Sequence, residues 1–243
     1  MKAAAGARWP MVSALQKERA FFFYMALAVL VTVLAGFGFF FAIGASSIHS
    51  PWWVHLHALS MGSWVLLFVT QTWFVYRGNV TAHRTLGPLA VAWSGWIFCL
   101  GFVVTALDVN THRVPPFFQP NYFLMMDWLN MIAFGGLVIA AVRMRNRSSD
   151  WHKRLMLGAM LQLIAVAWGR LILPFLFDQR GIWLVMLALL AYFCVAMAWD
   201  KRNRGAVHPA YYWGAGTLVV WVSLSFALAD LPPVLALTKS IAG

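Results

Sequence analysis

Seven long apolar runs dominate this sequence and limit what it can fold into. Their approximate limits are 20–43, 54–76, 88–107, 122–143, 155–177, 182–199 and 210–230. About 20 apolar residues in a helix cross the hydrocarbon layer of a bilayer. The runs therefore predict an all-α, polytopic membrane protein with seven transmembrane helices. Because the breaks between the runs are short, consecutive helices are expected to lie antiparallel.

The composition supports the same fold class and narrows the partners. Of the 243 residues, 62% are hydrophobic and only 10% are charged, whereas soluble domains carry about 25% charged residues. The lipid bilayer is therefore the expected partner. The net charge of +11 would suit nucleic acid only if the basic residues formed a polar, exposed face. Here they lie in the breaks between apolar runs, so nucleic acid is not expected.

The distribution of Lys and Arg predicts the orientation in the membrane. Fourteen of them fall on the side of the N-terminus, three fall on the other side, and Arg170 lies inside a run. Basic loops stay in the cytoplasm, so the N-terminus is predicted to be cytoplasmic and the C-terminus outside, in a bacterial inner membrane. The first run exceeds the apolar core of a signal peptide, about 7–15 residues, and is expected to remain as a helix. The chain then divides into a cytoplasmic segment (1–19), the seven-helix domain (20–230) and a short outer tail (231–243).

The second run carries a polar stripe that is unusual for a segment facing lipid. On a helix, His57, Trp64 and Gln71 fall on one face, which is predicted to face protein and to contribute to a cofactor site. His55 points away from that face, so it could share a metal ion with His57 only if the chain there is extended or kinked. The alternative is that both histidines are interfacial anchors that bind headgroups and loop carbonyls.

Two charged residues lie inside apolar runs, Asp127 in the fourth and Arg170 in the fifth. A lone charge at the centre of a bilayer costs roughly 2.5–3.5 kcal/mol on insertion scales, so each needs a partner. Both residues lie at a similar depth from the outer end, and we expect them to pair, with Asn130 nearby. The pair is either a structural salt bridge or part of an outer polar cavity that binds a substrate, a proton or a cofactor.

Three further histidines, His83, His152 and His208, are predicted at the inner face, each just before a helix that runs outward. The positive end of a helix disfavours a charged imidazole, and neutral imidazoles are good ligands for haem or metal. They are equally good hydrogen-bond partners for loop carbonyls. The sequence leaves both roles open.

Several short motifs, taken in order, resemble a family of uncharacterised bacterial integral membrane proteins. They are the run "FFFYMALAVLVTVLAGF", the stripe His57-x6-Trp64-x6-Gln71, "HRTLG" (83–87), "HKRLM" (152–156) followed by Arg170, and "HPAYYWG" (208–214). The resemblance covers about residues 20–230. It implies a multi-helix inner-membrane protein and brings no assigned activity with it.

These features lead to one functional hypothesis and one alternative. The hypothesis is a redox-type membrane protein that binds b-type haem or a quinone at an outer polar site, with His57, Trp64, Gln71, Asp127, Asn130 and Arg170 as the candidate residues and His57 and His55 as candidate metal ligands. The alternative is a carrier or sensor for a small hydrophobic or anionic molecule, or an accessory subunit of a larger membrane complex. No catalytic residue is predicted, because the sequence contains no HExxH, P-loop, GxSxG or SxxK motif.

Overall fold

A computed structural model describes residues 13–243, which form nine α-helices. They are α1 (Ala14–Ala42), α2 (Trp52–Tyr76), α3 (Val80–Asn110), α4 (Pro120–Met144), α5 (Ser149–Leu163), α6 (Ala165–Leu176), α7 (Ile182–Arg204), α8 (Ala210–Ala229) and α9 (Pro232–Ala242). Helices α5 and α6 together make one span, so this part of the chain contains seven spans that are long and apolar enough to cross a membrane. The prediction of an all-α, seven-span fold is confirmed.

The spans alternate in direction, and the bundle therefore has two ends. We call the end at which α1 begins the basic end, after the Lys and Arg residues of its loops, and the other the opposite end. Helix α4 lies at the centre and packs against α3, α5 and α8, while α1 packs against α2 and α6. The buried core follows this arrangement, since α4 and α5 carry long series of buried side chains.

Helix α3 begins earlier than the apolar pattern predicts. The segment before Pro88 was expected to be a loop, but it forms the first two turns of α3. The side chain of Asn79 accepts a hydrogen bond from the Ala82 N–H and caps the helix, and capping of this kind stabilises a first turn that has no apolar face. His83 consequently lies on the helix and not before it.

The fifth span is interrupted at Ile164, which separates α5 from α6. Next to the interruption, the fully buried Gln162 ties three helices together. Its amide donates to the carbonyl of Gly214 (3.0 Å) and accepts from the indole N–H of Trp221 (2.8 Å), while its own main-chain carbonyl accepts from Asn130 (3.0 Å). Interhelical hydrogen bonds of this kind hold membrane helices together where lipid gives no hydrophobic driving force.

The predicted outer tail is helical in part. Helix α9 follows the last span, packs against α3 and α4, and receives a hydrogen bond to the carbonyl of Ile241 from the amide of Asn110 (2.8 Å).

Candidate functional site

A cluster of four ionisable side chains lies near the opposite end of the bundle. It contains His57 of α2, Asp108 of α3, Asp127 of α4 and Arg170 of α6, and we call it the outer cluster. The charge of Arg170 acts on His57 and on both carboxylates. Four different helices thus place ionisable groups close enough for the charge of Arg170 to act on the other three.

Among the described residues, the members of the outer cluster bond to other residues and not to one another. Among the described residues no ion pair joins Asp127 to Arg170, so the contact expected from their depth is not formed, although their charges interact. Asp127 instead accepts a long hydrogen bond from Thr105 (3.3 Å). The Arg170 guanidinium donates to the carbonyl of Val166 (3.1 Å) and lies over the ring of Phe37 at 4.0 Å. This cation–π contact places the guanidinium of Arg170 against α1.

Three buried polar atoms around the outer cluster have no hydrogen-bond partner among the described residues. They are Nδ1 of His57, Nε of Arg170 and the hydroxyl of Tyr122, which lies where the charge of Asp127 acts on it. A buried polar group without a partner costs roughly 1–3 kcal/mol, and such groups are rare in native structures. A ligand with its own polar atoms would satisfy them.

His55 does not belong to this cluster. Its ring is exposed, and its Nε2 bonds to the carbonyl of Ile48 (3.1 Å) in the preceding loop. The residues 52–76 are helical throughout, so His55 and His57 point in different directions, as the helical spacing predicts. In the described part of the chain no group of three His, Cys, Asp or Glu residues could hold a metal ion. Binding of a metal by His55 and His57 stays a prediction.

The other members of the predicted site lie deeper in the bundle. Trp64 is almost fully buried and packs edge to face against Phe134. Asn130 bonds to the main chain of α5 at Gln162. Gln71 lies near the basic end, because the stripe that begins at His57 runs along the whole length of α2. Trp64 and Gln71 are both on the buried face of α2, as the helical spacing predicts, whereas Asn130 belongs to α4.

At the basic end, Gln71 meets His83, and His83 meets His152. With its amide oriented to suit its neighbours, Gln71 donates to Nδ1 of His83 at 2.5 Å and accepts from the Gly87 N–H at 3.3 Å. The rings of His83 and His152 have their centroids 6.3 Å apart. Two of the three histidines predicted at this face therefore come together.

The third, His208, has a structural position of its own. It lies in the loop before α8, where its Nδ1 accepts from the Ala210 N–H (3.2 Å) and its ring packs edge to face on Trp151. Burial, together with the positive charges of Arg154 and Arg204, holds the pKa of His208 below its usual value. A neutral imidazole is required here, because a protonated Nδ1 could not accept the hydrogen bond.

An ion pair that is fully buried on both sides was not predicted. Arg154 of α5 and Asp200 of α7 are both fully buried and form two hydrogen bonds, from Nε at 3.0 Å and from Nη2 at 2.7 Å. Glu18 accepts from the same guanidinium at 3.1 Å, and Arg204 donates to Glu18 and to Asp150. This ion-pair network joins α1, α5 and α7. The chain has only seven acidic residues, and this scarcity is the sequence signal that could have indicated that Asp200 pairs with a basic residue.

The fold and the two polar ends define a polytopic membrane protein, with apolar helices suited to a lipid bilayer and ionisable groups held between them. In comparisons with models of protein families, with curated proteins and with solved structures, nothing matches this chain. Its function is therefore argued from the two polar ends.

Proposed function

We propose that the protein is a redox-type protein of the bacterial inner membrane, and that its outer cluster binds a quinone. The observation that carries the proposal is the buried, unbonded Nδ1 of His57, which lies within the field of Arg170, a guanidinium on which the charges of Asp108 and Asp127 also act. Intramembrane ionisable groups generally mark substrate, proton or cofactor sites. We also propose that the chain belongs to the family of uncharacterised bacterial integral membrane proteins that its motifs resemble.

The chemistry of the outer cluster fits a quinone better than the other candidates. A quinone ring is apolar and neutral, and its two carbonyl oxygens would accept hydrogen bonds from His57 and Arg170. Asp108 and Asp127 would supply the protons that reduction requires. An anionic cargo would face two carboxylates and only one guanidinium. A haem held here would have one histidine, since His55 bonds to the loop.

A binding measurement with matched variants tests this proposal. The probe is a short-chain quinone added to the detergent-solubilised full chain, with tryptophan fluorescence as the signal. A hydrogen bond in a buried site contributes about 1.5 kcal/mol, and 1.4 kcal/mol is tenfold in affinity. We therefore expect His57→Ala to weaken binding about tenfold, while His55→Ala leaves it unchanged.

Two results would refute the proposal. One is the same affinity in wild type and both variants, which would place the probe elsewhere, and the other is no binding by the wild-type protein. Circular dichroism of each variant in the same detergent serves as the folding control, because His57 lies on a helix that a damaged fold would lose.

A further inference from the structure

A small surface pocket lies at the basic end, where α1 meets the loop between α2 and α3. It has a volume of about 230 Å³ and is lined by Gln16, Tyr76, Arg77 and Gly78, and we call it the basic pocket. Arg19 reaches the same loop, since a Cβ added to Gly78 would lie 3.7 Å from the Nη1 of Arg19. Two arginines, one from α1 and one from the end of α2, therefore flank the basic pocket.

Neither arginine has an acidic partner among the described residues. The chain contains seven acidic residues, and none of them forms a salt bridge with Arg19 or Arg77 in the part of the chain that the structure describes. Three of the seven, Glu18, Asp150 and Asp200, lie at the basic end but bond within the ion-pair network that joins α1, α5 and α7. The positive charge of the basic pocket is thus left for an anion from outside the chain.

Aromatic side chains lie next to the basic pocket, one turn deeper in α1 and α2. The ring of Phe23 stacks on Tyr76 with centroids 5.1 Å apart and lies 5.3 Å from the ring of Trp73. The guanidinium of Arg77 lies over the same Trp73 ring at 5.3 Å. Trp73 is 40% exposed and Tyr24 is 60% exposed, and tryptophan and tyrosine favour the level of lipid headgroups. A lipid with its headgroup in the basic pocket would lay its acyl chains against these rings.

The polar atoms of the basic pocket discriminate between lipid headgroups. A guanidinium binds phosphate through parallel hydrogen bonds from its planar edge. The amide nitrogen of Gln16 donates to the carbonyl of Tyr76 (3.3 Å), which leaves the amide oxygen to accept from a hydroxyl of the ligand. The ammonium group of a zwitterionic lipid would find no carboxylate here. A headgroup with a net negative charge and free hydroxyls fits these atoms best.

We propose that the basic pocket binds the headgroup of an anionic phospholipid, phosphatidylglycerol, from the leaflet at the basic end. Its phosphate would bond to Arg19 and Arg77, and a glycerol hydroxyl would donate to Gln16. Basic pockets at the ends of membrane helices bind anionic headgroups in this way. The basic pocket lies at the other end of the bundle from the outer cluster, so the proposal does not depend on quinone binding.

The test is native mass spectrometry of the detergent-solubilised full chain, titrated with phosphatidylglycerol or with phosphatidylcholine. We expect the wild type to bind phosphatidylglycerol more tightly. An arginine close to an anionic lipid changes the affinity about fivefold, so Arg19→Gln and Arg77→Gln should each weaken phosphatidylglycerol binding by about that factor. Arg202→Gln is the matched control, because Arg202 is exposed on α7 at the same end, and it should bind like the wild type.

Two further arms separate the geometry from the charge and the lipid from free phosphate. Arg77→Lys keeps the charge but loses the planar guanidinium, so it should weaken binding less than Arg77→Gln. Inorganic phosphate in excess should leave the lipid bound, because it makes no contact with the aromatic rings. Circular dichroism of each variant in the same detergent is the folding control.

Four results would overturn the proposal. They are equal binding of the two lipids by the wild type, wild-type affinity for phosphatidylglycerol in the double variant of Arg19→Gln and Arg77→Gln, a loss in Arg202→Gln as large as in Arg77→Gln, and displacement of the lipid by inorganic phosphate. The third result would mean that the net charge of the basic end, and not the basic pocket, attracts the lipid. The fourth would mean that the basic pocket takes free phosphate.

Discussion

Asp200→Asn should destabilise the protein strongly, although it changes a single charge at the basic end. The Asp200 carboxylate is fully buried and accepts three hydrogen bonds, two from Arg154 at 3.0 and 2.7 Å and one from the main-chain N–H of His208 at 3.1 Å. Removing the charge leaves the buried guanidinium of Arg154 opposite a neutral amide. Breaking a buried pair in this way costs about 3–5 kcal/mol.

The other carboxylates near Arg154 determine where in the range of about 3–5 kcal/mol the loss of stability should fall. Glu18 lies 3.1 Å from Nη2 and Asp150 lies 3.5 Å from Nη1, and both carboxylates are partly exposed. They compensate part of the lost charge, so we expect a loss near the lower limit, about 3 kcal/mol. The assay is reversible unfolding by a denaturing detergent, followed by tryptophan fluorescence.

Asp178→Asn is the matched control. Asp178 also receives several hydrogen bonds from one arginine, Arg180, but that arginine is 80% exposed. Exposed pairs contribute little because water and salt screen them, so the control should unfold like the wild type. If Asp200→Asn unfolded like Asp178→Asn, the reasoning about burial would be wrong. The double variant Arg154→Leu and Asp200→Leu should lose less stability than the sum of its single changes.

Three further predictions concern packing, pH and orientation. Gly36→Ala should cost about 1–3 kcal/mol of unfolding free energy, because the added Cβ would lie 2.5 Å from the main-chain oxygen of Ala167. The control Gly38→Ala, whose Cβ would have no atom within 4 Å, should be neutral, and equal effects of the two changes would contradict the close approach of α1 and α6. The pKa of His208 is lowered from 6.5 by burial, so the unfolded state binds the proton more readily and the stability should fall as the pH drops below about 6.5. His208→Asn keeps an acceptor for the Ala210 N–H and should remove this part of the pH dependence, and an unchanged pH dependence would refute the role of His208. A C-terminal reporter that is active only in the cytoplasm should be silent, and strong activity would contradict the predicted orientation.

The sequence predicted the spans well because their length and apolar character follow directly from the thickness of a bilayer. It failed where local signals compete. Pro88 and Gly87 suggested a loop, but a proline near the start of a helix removes few hydrogen bonds, so the helix begins at Val80 and carries His83 with it. The stripe from His57 to Gln71 is too long to line one site, because 14 residues at about 1.5 Å each extend roughly 21 Å.

The two polar ends illustrate what one-dimensional patterns omit. Asp200 follows an apolar run and Arg154 follows a basic loop, and both look like ordinary residues of a membrane boundary. Only the tertiary arrangement of α5 and α7 brings them into a dry contact. Asp127 and Arg170 were the conspicuous charges, yet Arg170 also finds an aromatic ring, Phe37, on α1, which no pairing of charges by depth could predict.

The most direct test of the account's central claim is the affinity of the detergent-solubilised full chain for a short-chain quinone, measured by tryptophan fluorescence in the wild type, in His55→Ala and in His57→Ala. The account predicts the same affinity in the wild type and in His55→Ala, and binding about tenfold weaker in His57→Ala. Equal affinity in all three proteins would contradict a quinone site at the outer cluster.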